Sequence, residues 1–512
     1  MNVLAELSSV EQAYDLARQD FENIVGYPDS KKTSVMTHSE LEKKGRELMR
    51  KLLQEHINNR GPGNAEQAVQ GADGIARSRI RLQPRKLETV FGTVTVERTG
   101  YGREGFESLH PPDAELNLPD ERYSLELRHR VAEEAARSSF DETLENIGKT
   151  TGGHVPKRQV EELVVRAAPD FDAFYQQRHE LAAANGDTGS VPAISVDGKG
   201  VVMRPQDLRE QTRKAAEART HKMGKRLSKG EKKNAKRMAT VAAVYTIPPF
   251  VRRPEDLIAG GGMAGTHRPR PEHKRVRASI EKTPEQVIEE MIRDARSRDP
   301  GHEKIWVALV DGNKSQIRIL RRKAKEKGPE LTIIVDVIHV IEYLRDAGRA
   351  FHPESGPELE GWVHHRFLKI LEGNAGYAAG GMRRSATKRN FSDEARKPVD
   401  ICAGYLLNYS PYLRYNCYLA QGLPIATGVI EGACRHLVKD RMEVTGARWS
   451  LTGAEAVLRL RTLRSGHDFD EYWRFHEARE YERTHRTRYA GGVVPPTTTR
   501  ETRKRDHLKR IK

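Results

Sequence analysis

Three apolar runs constrain the fold of this chain more than any other feature, because each is followed directly by an aspartate. Residues 194–196 precede Asp197, residues 305–310 precede Asp311, and residues 331–335 precede Asp336. Apolar runs without alternation predict strands that are buried on both faces, as in sheets covered by helices. The sequence therefore predicts an α/β fold in which buried strands deliver carboxylates.

Two of these aspartates allow a second interpretation. Asp197 and Asp311 are each followed by glycine, and the Asp-Gly dipeptide also favours tight hairpin turns. Taken singly, either step would more often be a turn than a metal ligand.

A fourth segment adds a glutamate to the strand aspartates. Glu431 is expected to open a helix, and Arg435 and Lys439 follow at i+4 and i+8, which places all three on one helical face. These three residues can be interpreted as charged side chains of a solvated surface without a further role. They can also be interpreted as an acid that binds metal and two cations that hold a phosphate backbone.

Oxygen ligands of this kind suit Mg²⁺, for which Mn²⁺ can substitute, better than zinc. Two such ions about 3.5–4 Å apart can activate an attacking oxygen and stabilise a leaving one at phosphorus. The carboxylates therefore predict metal-dependent phosphodiester chemistry.

The charge of the chain points to the same substrate class. The formal net charge is +16, and residues 202–280 hold 20 Lys or Arg against 7 Asp or Glu. A surface of this kind attracts nucleic acid, although charge runs are most often simply solvated. We expect a basic helical arm or flexible loop here to contact phosphates through Lys222, Lys225, Arg226, Lys232, Lys233, Lys236 and Arg237.

The N-terminal part predicts an α+β region followed by helices. Leucines at helical spacing indicate a helix over residues 39–58, and the β-rich run of residues 86–102 indicates a hairpin. Three short helices are predicted from Tyr123 onward and suit a helix-turn-helix, whose last helix would offer Lys157, Arg158 and Gln159 to DNA. An ordinary helical linker bundle is the alternative.

Several other protein classes find no support in the sequence. It shows neither a stretch of about 18 apolar residues nor a secretory signal, so we expect no membrane partner and a cytoplasmic protein. The three cysteines, Cys402, Cys417 and Cys434, have no C-x-x-C spacing, and we interpret them as buried thiols.

The motifs ISVDGKG, VALVDGNKS, TIIVDVIHV and TGVIEGACRHLVKDRM, in that order, resemble prokaryotic insertion-sequence transposases of the Kra type. That group is related to the Mutator-like transposases, which have a ribonuclease-H-like catalytic core. The resemblance covers roughly residues 80–475 and rests on four motifs in order.

The resemblance implies roles for particular residues. It makes Asp197, Asp311 and Glu431 the catalytic triad that holds two Mg²⁺ ions, and it gives Asp336 and His339 an accessory role. The rival assignment makes Asp336 the second metal ligand and Asp311 a turn residue. His339 taken alone would be a core histidine.

The resemblance also implies an architecture and a reaction. We expect an N-terminal α+β region (1–122), a helix-turn-helix-like region (123–190), a ribonuclease-H-like core (191–339 and 429–475) split by an all-helical insertion (340–428), and a basic tail (476–512). The enzyme would nick DNA at element ends, join them to target DNA and work as a homo-oligomer near the nucleoid. A structure-specific nuclease or resolvase, and a non-catalytic DNA-binding descendant of a transposase, are the alternatives.

Overall fold

A computed structural model describes residues 14–30, 38–182, 190–218, 235–258, 268–444 and 446–498. The chain divides into two compact units. The first comprises Met1–Asp170 together with Asp468–Lys512, and the second comprises Phe171–His467. Helices and strands occur in both units, which confirms a mixed α/β chain.

The N-terminal part of the first unit contains a helical pair and two small antiparallel sheets. Its elements are α1 (Asp15–Ser30), α2 (His38–Arg60), β1 (Val69–Gln70), β2 (Ala76–Arg77), β3 (Arg79–Thr89), β4 (Gly92–Arg103), β5 (Phe106–Leu109) and α3 (Pro111–Glu115). The helix and the hairpin predicted here are confirmed, and the hairpin is longer than predicted because β3 and β4 pair over their whole length. Apolar residues of β4, Val94 and Val96, pack with Ile57 of α2.

Three helices follow, as the sequence predicts. They are α4 (Leu125–Arg137), α5 (Phe140–Thr150) and α6 (Lys157–Arg166). The side chains of Ser124 and Ser139 accept from backbone N–H groups in the first turns of α4 and α5, which fixes where these helices begin. The three helices pack against one another.

The second unit is built around a five-stranded mixed sheet. Its elements up to the last strand are α7 (Phe171–Ala182), β6 (Val191–Val202), α8 (Glu210–Glu217), β7 (Lys236–Ile247), β8 (Glu272–Ser279), α9 (Pro284–Arg298), β9 (Trp306–Val310), α10 (Lys314–Lys327) and β10 (Leu331–Val335). The strand order is β10-β9-β6-β7-β8. Strands β6, β7 and β8 are antiparallel, whereas β9 and β10 run parallel to β6.

Helices make up the remainder of the second unit. They are α11 (Val337–Phe351), α12 (Pro357–Leu371), α13 (Ala375–Lys388), α14 (Asp393–Asn408), α15 (Tyr415–Ala420), α16 (Gly428–Ala433), a π-helical segment (Cys434–Lys439), α17 (Asp440–Met442) and α18 (Leu451–Ser465). One continuous apolar core joins the sheet to α9 and to the helices from α11 to α15. The sheet and these helices therefore hold each other in place.

The first unit closes with α19 (Phe469–Thr484), which carries a buried charge network. Asp170 accepts from His476 and Arg483, and Glu480 pairs with Arg128. Burial alone would raise the pKa of both carboxyls, but the hydrogen bonds from their cationic partners outweigh it and lower the pKa of Asp170 and of Glu480 to about 2. The network links α19 by hydrogen bonds to Arg128 of α4 and to Asp170, the last residue of the segment Met1–Asp170.

Within the described parts of the chain, no helix combines the length and the apolar composition that a membrane span requires.

Candidate functional site

The sheet brings the three strand-borne aspartates to one edge. Val196 of β6 pairs with Val310 of β9, and Val310 pairs with Val335 of β10, all in parallel register. Asp197 within β6 and Asp311 directly after β9 therefore lie at the same level on neighbouring parallel strands, and Asp336 directly follows the next strand outward. The carboxyl edge of parallel strands is where open α/β sheets place their ligands.

The hairpin-turn interpretation of the two Asp-Gly steps is wrong. Asp197 and Gly198 lie inside β6, where Asp197 pairs with Val241 of β7, so this strand continues past its carboxylate instead of ending there. Gly312 carries the chain from β9 into α10 with a φ of 99°, a conformation that favours glycine. A Cβ on Gly312 would also lie 3.2 Å from the Tyr405 ring.

Asp197 contacts the segment that carries Glu431. The Cys434 thiol donates to Asp197 Oδ2 at 3.2 Å. Burial, and then the negative charge of Asp197, raise the pKa of the Cys434 thiol well above its usual value, so the thiol remains a protonated donor. The charge of Glu431 acts on the same thiol in the same direction. This contact holds the glutamate-bearing helix against β6.

This role of Cys434 is not predicted from the sequence, where the residue was interpreted only as a buried thiol. Its position three residues after Glu431 was the available signal, because residues at i and i+3 are neighbours on a helix. Only the fold shows that Cys434 meets Asp197.

Asp311 is half-buried, and among the described residues its carboxylate accepts one hydrogen bond. Its Oδ1 accepts from the Asn313 backbone N–H at 2.9 Å, and its Oδ2 has no hydrogen-bond partner among the described residues. The Tyr405 hydroxyl donates to the Asp311 backbone carbonyl at 3.1 Å, and the Tyr409 hydroxyl donates to the carbonyl of Gly312. The backbone is therefore held while the carboxylate stays open.

Asp336 is fully buried, and both of its oxygens are engaged. It caps α11 by accepting from the Ile338 N–H at 3.0 Å, and it accepts from the hydroxyl and the N–H of Thr427. Its Oδ2 also lies 3.3 Å from His339 Nδ1. These contacts make Asp336 a structural junction between β10, α11 and the segment that leads into α16.

His339 is half-exposed beside this junction. The hydrogen bond to Asp336 raises the pKa of His339 to about 9, against the opposing effect of burial, and the charges of Asp336, Glu342 and Asp311 add to the increase. The imidazole is therefore cationic at neutral pH and close enough to Asp311 to sense its charge. The hydrogen bond to Asp336 agrees with the interpretation of His339 as a satisfied histidine, although 34% of its side chain is exposed.

Glu431 lies in the first turn of α16, which begins at Gly428, three residues earlier than the position expected for a helix opened by Glu431. From Cys434 the helix is π-helical, so the regular α-helical spacing assumed for Arg435 and Lys439 is wrong. Glu431, Arg435 and Lys439 are all exposed, and Arg435 Nε lies 3.6 Å from Asp440 Oδ1. Single π-helical turns inside α-helices are frequent at functional sites.

The donor chemistry at this edge fits a hard cation, since Asp197, Asp311 and Glu431 supply only carboxylate oxygens. Within the described ranges, however, no group of three or more His, Cys, Asp or Glu side chains lies close enough together to hold a metal ion. The fold thus brings two aspartates into register and places the glutamate helix against one of them.

The other residues predicted to contact DNA, besides Arg435 and Lys439, fall into three groups. Lys157, Arg158 and Gln159 lie in the first turn of α6, where Lys157 pairs with Asp141 of α5, and Arg158 and Gln159 both contact Glu162. Lys222, Lys225, Arg226, Lys232 and Lys233 lie outside the described residues.

Lys236 and Arg237 form the third group, and the arm or loop expected for them is wrong, because both are strand residues of β7. Lys236 Nζ lies 3.7 Å from Glu443, and Arg237 donates to the backbone carbonyl of Ile280 at 3.0 Å. Cross-strand pairing with Val201 and Val202 of β6 fixes them in the sheet.

A comparison of the sequence with protein-family models finds no match, and a comparison with curated proteins finds none either.

Proposed function

We propose that this chain is a DNA transposase of the acidic-triad kind, in which Asp197, Asp311 and Glu431 bind two divalent cations. The observation that carries the proposal is the register of the central sheet. Val196 and Val310 are paired neighbours, so Asp197 within β6 and Asp311 directly after β9 lie at the same level on adjacent parallel strands. The thiol contact between Cys434 and Asp197 adds the segment that carries Glu431.

The proposed chemistry assigns a task to each group. Two Mg²⁺ or Mn²⁺ ions, when bound, would polarise the scissile phosphate and stabilise both the attacking and the leaving oxygen. Asp311 offers an open carboxylate oxygen, and Asp197 is held in place by the Cys434 thiol. The pKa of His339, raised chiefly by Asp336 and also by the charge of Asp311, keeps the imidazole cationic, which would favour a phosphate backbone near this site.

The reaction would run in two steps at the same site. Water would first attack a phosphodiester at an element end and release a 3′-hydroxyl. That hydroxyl would then attack a phosphodiester of target DNA, which exchanges one P–O bond for another. The excess of Lys and Arg in the chain supports a DNA partner, and a homo-oligomer on DNA near the nucleoid belongs to the same proposal.

A ribonuclease-H-like core is part of this proposal. Its support is the mixed sheet, in which three antiparallel strands are followed along the chain by two parallel ones. Helices α11 to α15 lie between the last strand and α16, and they support the idea of a helical insertion between the second aspartate and the glutamate. The three-helix group α4 to α6 supports a DNA-reading module only through its exposed, polar first turn on α6.

The decisive experiment incubates the purified protein with DNA ends of its element and Mg²⁺, and maps both strand breaks and joints. We expect breaks at the ends and joints to target DNA, and we expect Asp197→Asn, Asp311→Asn and Glu431→Gln to abolish both while DNA binding persists. Asp346→Asn, an exposed aspartate on α11, is the matched control and should retain full activity.

Other outcomes would reassign the protein. Breaks without joints would indicate a nuclease or resolvase. Binding without metal-dependent breaks would indicate a non-catalytic DNA-binding protein.

A further inference from the structure

A cavity of about 320 Å³ opens beside the helical part of the second unit. Most of its lining is apolar, and Val337, Ile338 and Ile341 of α11 form one wall. A volume of this size lies at the lower end of small-molecule sites, which span roughly 300–1,000 Å³. The cavity can therefore take one compact, largely apolar group.

Two arginines give the cavity a cationic side. Arg252 and Arg268 both line it, together with Phe250, whose ring centroid lies 5.5 Å from the Arg252 guanidinium carbon. Burial and the positive charge of Arg268 lower the pKa of Arg252. Two cations that repel each other across a cavity favour an anion between them, and a guanidinium fork binds phosphate oxygens well.

Arg252 is pre-oriented for such a ligand. Its Nε donates to the carbonyl of Phe250 at 3.1 Å, and its Nη2 donates to the carbonyl of Leu423 at 2.6 Å. Its Nη1 has no partner in the part of the chain that the structure describes. The segment before it is itself fixed, since the Phe250 N–H donates to the carbonyl of Gly422.

The walls of the cavity are continuous with the candidate active site. Val337 directly follows Asp336, and Ala426 directly precedes Thr427, the hydrogen-bond partner of Asp336. The Val337 N–H also donates to the carbonyl of Ile425 at 3.0 Å. A ligand in the cavity would therefore press on the two segments that position α11 and α16.

We infer that this cavity receives one unstacked nucleotide of the bound DNA, with its base against the apolar wall of α11 and its phosphate between Arg252 and Arg268. The inference rests on the proposed function and names a further contact between the enzyme and its substrate. Enzymes that act on a base pull its nucleotide out of the stack into a pocket, and the unpairing costs least at a mismatch; a pocket of this kind can hold an extruded nucleotide here as well. An aromatic or apolar surface in contact with the base offsets part of that cost.

The test is a mismatch scan of the element end. Single mismatches are placed at successive positions within about ten nucleotides of the cleaved bond, and the dissociation constant of each duplex is measured in Ca²⁺ to prevent cleavage. We expect one position at which a mismatch tightens binding by the full protein about tenfold, because that duplex no longer resists extrusion of the nucleotide.

Variants connect this gain to the cavity. Ile338→Trp fills the apolar wall and Arg268→Ala removes an exposed cation, and each should reduce the mismatch gain to less than twofold. The matched controls are Ile401→Trp, at an exposed position of α14, and Arg270→Ala, two residues beyond Arg268. Both controls should retain the mismatch gain. Thermal unfolding midpoints within about 2–3 °C of wild type show that the variants fold.

The outcomes separate this inference from the proposed function. Cleaved and joined DNA with no position of mismatch gain overturns the inference and leaves the transposase. A mismatch gain that survives in both cavity variants also overturns it. Failure to bind or cut DNA at all overturns both. Tight binding of a free deoxynucleoside monophosphate, abolished by Arg268→Ala, together with an absent mismatch gain, would assign the cavity to a soluble nucleotide instead.

Discussion

Substitution of Asp336 distinguishes a structural junction from a metal ligand. Asp336→Ala removes the hydrogen bond from the Ile338 N–H that caps α11, and this loss costs about 1 kcal/mol. It also removes the hydrogen bonds that the buried carboxylate accepts from Thr427, which contribute about 1.5–3 kcal/mol. Two buried donors are left without partners. We therefore expect Asp336→Ala to destabilise the second unit by about 3–5 kcal/mol, whereas Asp311→Ala loses one half-exposed bond and costs about 1 kcal/mol or less.

The assay pairs thermal unfolding with cleavage of element ends. Asp336→Ala should lower the unfolding midpoint by roughly 10 °C. Asp336→Asn keeps an acceptor for Ile338 and an amide that can donate to the Thr427 hydroxyl, so it should retain most of the stability and measurable cleavage. Asp311→Asn should be stable and inactive. An Asp336→Asn variant that is stable and inactive, beside an active Asp311→Asn, would refute the reasoning and exchange the two roles.

Three further predictions follow from particular contacts. The double variant Arg435→Ala, Lys439→Ala should lower the cleavage rate about tenfold or more and change DNA affinity less, because both cations are exposed on the segment that follows Glu431. Unchanged cleavage would mark them as solvated. Gly312→Ala should destabilise the protein by about 1–3 kcal/mol and slow cleavage, because alanine is strained at the positive φ of this position and its Cβ would lie against the Tyr405 ring. Denaturant unfolding measures the loss of stability. The pKa values of Asp170 and Glu480 are about 2 in the folded state, below the value near 4 of an unfolded chain. The free energy that these two carboxylates add to folding is therefore fully present above about pH 4 and is lost as the pH falls towards 2. An acid unfolding midpoint that Asp170→Asn leaves unshifted would contradict this.

Elements with strong local signals agree between sequence and structure. The apolar runs before Asp311 and Asp336 became β9 and β10, and the helical patterns after Tyr123 became α4 to α6. Burial on both faces and N-terminal capping are properties of a few neighbouring residues, so they are visible in the sequence. Helix boundaries were less accurate, as the π-helical segment from Cys434 to Lys439 shows.

The sequence by itself determined which residues could bear the chemistry: oxygen ligands after buried strands, a helix-borne glutamate and an excess of cations. Only the tertiary structure decided which of them meet. Strand order places Asp197 beside Asp311, the packing of Thr427 against Asp336 commits that acid to hydrogen bonds, and the Cys434 thiol reaches a residue 237 positions away. Pairing across a sheet depends on register between distant segments, which no local pattern encodes. The hydrogen bonds that the buried Asp336 accepts from Thr427 depend on the same packing between distant segments.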